Sequence, residues 1–139
     1  MNPETLVAGA SLTFSLLLIA AVVHFIGQAA AGGELGRNPA VGIRTRATMA
    51  SDEAWTTGHS AARGVLRIAA IVALVFAAAT ATATFTSAPS WVVPLVGVTG
   101  LVVAGLVIVR GAVVASRAAH EVTDSRGCLG RDRSDHSRR

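Results

Sequence analysis

The chain has 139 residues, of which 52% are hydrophobic and 14% charged, against about 25% charged in an average soluble domain. Its mean hydropathy is +0.57, which excludes an ordinary soluble domain and points to a small all-α membrane protein. The formal net charge is +4, with twelve arginines and no lysine, and the single cysteine, Cys128, excludes an internal disulfide framework.

The first element is apolar. From Thr5 to Gly33 no residue carries a formal charge. A bilayer core takes about 20 apolar residues in a helix, so one span is predicted over about residues 5–31. A cleaved signal peptide would need a basic start and a short apolar core; Glu4 and the length of this run argue against it. His24 and Gln28 are the intramembrane polar residues, four apart near the end of the span. Such groups usually face other helices, and a hydrogen bond to a threonine of a neighbouring span is expected.

Next comes a polar segment, Leu35–His59, reading LGRNPAVGIRTRATMASDEAWTTGH. Gly32 and Gly33 end the first helix, and Pro39 pushes Asn38 into extended geometry. Gly42 permits backbone angles that other residues resist. Ser51 is a good N-cap, and Asp52 and Glu53 suit the positive end of a helix starting there. On that helix Trp55, His59 and Arg63 share one face, and it can run through Gly64 into the next span. Trp55 reads as an anchor at the headgroup level. His59 is expected to hydrogen-bond Asn38 or the Gly42 turn and hold the loop against the helix. Arg44 and Arg46 can make bidentate contacts to an anionic partner. The competing reading is simple attraction to anionic lipid, about 1 kcal/mol each; the two weigh evenly for Arg44, and lipid leads for Arg46.

From Ile68 to Val109 there is no ionisable side chain. As one helix this run would be about 63 Å long, twice a bilayer, so it must fold back. TSAPSW, Thr86 to Trp91, is the turn, because Pro89 disfavours helix at Ala88. Spans two and three are predicted over about 65–85 and 91–109. Thr80, Thr82 and Thr84 look strand-like, but within a span only helix is sensible, with their hydroxyls on the preceding turn. Gly97, Gly100 and Gly105 suit close helix packing. Residues 117–139, mixed in charge and poor in large apolar groups, are expected to form a disordered basic tail after a membrane domain over 1–116.

Arginine placement gives an orientation. All twelve lie in the loop up to the first turn of span two or after span three. The positive-inside rule then puts the N-terminus outside, and the loop and C-terminus in the cytoplasm of a multi-pass plasma-membrane protein.

The loop also resembles the signature of the SdpI family, bacterial membrane proteins named for an immunity protein against a secreted toxic peptide. The residues that carry the likeness are Asn38, Pro39, Gly42, Ile43, Arg44, Thr45, Thr48, Asp52, Glu53, Trp55 and His59. Ile43 stands where tyrosine is more usual. The resemblance implies a short three-span form that confers immunity to a membrane-active, apolar peptide toxin, or binds a cytoplasmic regulator through loop 35–59 in signalling. The alternative, from a different class, is a small structural or accessory subunit of a larger membrane complex, its Ala- and Gly-rich spans packing against other helices or against copies of itself.

An enzyme is not expected. No HExxH, GxSxG or P-loop occurs, and the adjacent Asp52 and Glu53 point about 100° apart on a helix. Cys128 lacks a positioned base. His120, Cys128 and His136 match no zinc spacing. No cofactor, no metal and no direct nucleic-acid partner is expected; the lipid bilayer is.

Overall fold

The computed structural model has three α-helices in the order α1 (Pro3–Ala31), α2 (Asp52–Phe85) and α3 (Val92–His136). It describes residues 3–37, 40–86 and 88–136, with side chains described up to residue 125. No strand occurs among the described residues. Each helix is long and apolar enough to cross a membrane. The chain is an all-α, multi-pass membrane protein.

The helix ends follow from local chemistry. α1 ends where Gly33 takes a left-handed φ of +79°, and the Leu35 N–H reaches back to the Ala29 carbonyl at 3.0 Å. α2 starts under a Ser51 cap: the Ala54 N–H donates to Ser51 Oγ at 3.0 Å, satisfying one of the helix's orphan donors. As expected, α2 then runs unbroken through Gly64 into the apolar span. It ends at Phe85, and α3 begins at Val92, so the turn falls where TSAPSW places it. Trp91 in that turn is exposed, as suits an interface residue.

The contacts divide into two units, through both of which every helix passes. Unit 1 is Met1–Phe25 with Gly64–Arg110. Its core is Leu16, Ala20, Ala73, Ala77 and Ala104, with Ile19, Val72, Phe76 and Leu101 packed on it. The core is mostly alanine because membrane helices gain little from burying bulk already surrounded by lipid. Small residues instead let backbones approach and multiply van der Waals contacts. Gly97 lies against Leu12 and Gly100 against Phe76, too close for any added Cβ. The large apolar side chains point outward: Phe14, Phe25, Ile71, Val98 and Leu106 are exposed, the arrangement hydrocarbon requires. Thr80, Thr82 and Thr84 donate to the carbonyls of Phe76, Ala78 and Thr80, four residues back, as the helical reading expects.

Unit 2 is Ile26–Arg63 with Gly111–Arg139. Here Ala47, Ala54 and Ala119 cluster, and Gly58 lies against the Ala115 carbonyl. One expectation is corrected. Instead of a disordered tail from residue 117, α3 continues to His136. The reason lies in spacing. Gly111, Ala115 and Ala119 recur every four residues and are buried, so a small-residue stripe packs in unit 2 beyond the end of the apolar run. Charge and low bulk, the grounds for expecting disorder, do not register that stripe.

Candidate functional site

Ile43 lies at the centre of the loop, held by its backbone. Its N–H donates to His59 Nε2 at 2.9 Å. Its carbonyl accepts from the Thr48 hydroxyl at 2.7 Å. Both side chains that hold it are buried. The Thr48 oxygen also accepts from the Thr45 N–H at 2.9 Å, and the Thr48 N–H donates to Thr45 Oγ1 at 3.2 Å. This is a Ser/Thr-type turn closed by two threonines three residues apart. What holds position 43 is its amide and carbonyl, so isoleucine serves where the family resemblance has tyrosine.

His59 has both ring nitrogens engaged. Nε2 accepts from Ile43, so the proton sits on Nδ1, which donates to the Trp55 carbonyl at 2.9 Å. The ring also packs on Trp55, with centroids 4.2 Å apart. Burial pushes the His59 pKa below the ordinary histidine value, and the bond to the Trp55 carbonyl opposes this in part. His59 precedes the span at residues 65–85. A histidine with a depressed folded pKa binds protons better when unfolded, so its stabilisation is complete above about pH 6.5 and falls as pH drops below that. Protonating Nε2 would also turn it from an acceptor into a donor facing the Ile43 N–H. Trp55 fluorescence, in a Trp91→Phe background, is therefore expected to be flat above pH 7 and to change on acidification. The change disappears in His59→Gln; a change of equal size there would exclude His59 as its cause.

Trp55 corrects a second expectation. It is 1% exposed, not an interfacial anchor. Its indole N–H donates to the Leu35 carbonyl at 2.9 Å, and its ring covers Gly42. A Cβ on Gly42 would stand 2.6 Å from Trp55 Cη2 and 3.0 Å from His59 Nε2, and φ at Gly42 is +103°. The loop folds over the indole, so the ring that could have met lipid headgroups meets the loop's own backbone.

The remaining site residues divide plainly. Asp52 and Glu53 are exposed in the first turn of α2. Asp52 pairs with Arg37 at 3.2 Å, and both side chains are open to solvent, so the pair is worth at most about 1 kcal/mol. Arg37 also donates to the Met49 carbonyl at 2.8 Å. Arg44 and Arg46 are exposed, and among the described residues neither has a hydrogen bond or ion pair. Asn38 and Pro39 lie outside the described residues. Gln28 bonds to Arg63 Nε, at 2.6 Å, and not to a threonine. His24 makes an edge contact with the Phe25 ring and no threonine bond.

Thr48, already named in the motif, carries the turn, and sequence reasoning left two further residues out of the site. Ser60 donates to the Ala31 carbonyl at 3.1 Å, tying the end of α1 to α2. Leu35 contributes only a carbonyl, which no side-chain pattern marks.

The model of the SdpI/YfhL protein family matches residues 34–110, more than half of the chain. No curated protein and no solved structure matches. The matched stretch opens just before Leu35, takes in Trp55 and His59 and ends at Arg110 within α3, so the chain belongs to the SdpI/YfhL protein family.

Proposed function

We propose that this protein is a non-enzymatic immunity and signalling protein, protecting against a membrane-active apolar peptide and docking a cytoplasmic regulator through loop 35–59. The observation that carries this reading is the contrast within the loop. Buried Thr48, Trp55 and His59 fix its backbone, while Arg44 and Arg46 stand exposed on that fixed frame with no described partner. A rigid frame lowers the ordering cost of binding, and two guanidinium groups suit a carboxylate or phosphate on a partner. Family membership supports the same reading. The positive-inside rule supports a cytoplasmic loop and an outside N-terminus in the plasma membrane.

The test is a gentle-detergent pull-down and a protection assay with wild type beside Arg44→Ala/Arg46→Ala at equal membrane levels. A soluble acidic protein should co-purify with wild type and fall about tenfold or more in the double variant, as for the loss of two charge-assisted contacts, with protection falling in parallel. Undiminished binding and protection would overturn the proposal. A large membrane protein retained at fixed stoichiometry by both chains would make this an accessory subunit instead.

A further inference from the structure

Unit 1 holds a groove of about 500 Å³ between α1 and α2. Its sides are apolar, formed by Leu17 and Phe25 of α1 and Ile71 and Leu74 of α2. All four are exposed, so in a bilayer the groove opens sideways to hydrocarbon. Among the described residues, the polar side chains that line it are His24 and Arg67. They sit at the same end of the unit, one from each helix. Arg67 is exposed and has no hydrogen bond or ion pair among the described residues.

A guanidinium at the edge of an apolar span is costly unless it reaches an anion or water. His24 lines the groove from the facing helix, and an imidazole can donate an N–H to an anionic oxygen. The rest of the groove offers only hydrocarbon contact. An occupant must therefore present an anionic oxygen cluster at one end and a polar-free chain behind it. An extended peptide fails the second condition, because its backbone N–H and C=O groups would meet no partner along these walls. A phospholipid meets both. We propose that unit 1 binds one anionic phospholipid, its phosphate on Arg67 and His24 and an acyl chain along the groove. The α1 side of this site lies outside the family match at 34–110, and the site is independent of the function assigned to the loop.

The experiment uses the full chain in nanodiscs of equal phosphatidylglycerol and phosphatidylcholine, with retained lipids counted by native mass spectrometry. Wild type should keep one phosphatidylglycerol in preference to phosphatidylcholine. Arg67→Gln should lower that preference about fivefold, the size of one arginine–anionic-lipid contact, and Arg67→Lys should restore part of it. Ala21→Phe, which fills the groove from an exposed position that lines it, should reduce retention of both lipids relative to Leu106→Phe on α3. Equal phosphatidylglycerol retention by wild type and Arg67→Gln would overturn the proposal. So would an Ala21→Phe chain no worse than Leu106→Phe, or an apolar peptide found in place of lipid. Arg44→Ala/Arg46→Ala should leave the lipid count unchanged, which separates this site from the loop.

Discussion

Gly42→Ala is expected to unfold the loop locally while leaving the spans inserted. The new Cβ would collide with the Trp55 ring and the His59 nitrogen, and alanine at a φ of +103° is strained even in open space. Backbone strain and overpacking together put the cost at about 2–4 kcal/mol. Proteases cut the opened form of a chain. Trypsin cleavage after Arg44 in proteoliposomes should therefore accelerate roughly tenfold or more, in line with that cost. Gly36→Ala is the control, since nothing lies within 4 Å of a Cβ there. Equal cleavage in the two variants would mean that the close approach of Gly42 to Trp55 does not hold the loop.

Trp55→Ala should be at least as damaging. It removes the ring that Gly42 and His59 pack against and leaves the Leu35 carbonyl without its donor. Deleting a buried tryptophan costs about 3–5 kcal/mol. Trp55→Phe keeps an aromatic ring but loses the N–H, for a smaller cost of about 1–3 kcal/mol. The readout is hydrogen exchange at the Ile43 amide, whose acceptor is His59. The expected order of exchange is wild type, then Trp55→Phe, then Trp55→Ala, slowest to fastest. If Trp55→Ala exchanged as slowly as wild type, the indole would contribute nothing to the loop.

The three spans, the TSAPSW turn and the Ser51 cap were legible because each rests on a local signal: a charge-free run, a proline-bearing break, a hydroxyl before an acidic pair. The His59 contact was legible in part. A bond to the Gly42 turn was expected, and the partner is the Ile43 N–H beside it. The fate of Trp55 was not legible. An indole in a polar first turn next to a span suits lipid headgroups and a folded-back loop equally well by composition. The choice depends on the Leu35 carbonyl, twenty residues away. The helix beyond residue 117 was missed for a related reason: Gly111, Ala115 and Ala119 signal packing only if a partner face exists, and that face is the Ala54–Gly58 edge of α2. Gln28 was assigned a threonine and found Arg63, because a flexible arginine 35 residues on outcompetes a hydroxyl already satisfied on its own helix.

The loop's bonds also carry a timetable. Those to Ile43, Leu35 and Ala31 span 16, 20 and 29 residues, so every partner exists once the chain has been made as far as Ser60. The alanine and glycine face of α2 that Ala115 and Ala119 cover waits until about sixty more residues have been added. During synthesis at roughly 5–20 residues per second, the loop has seconds to close by itself before the last helix arrives. The hydrogen bonds of the family signature thus need nothing from α3, while the burial of Ala47 and Ala54 waits for Ala119.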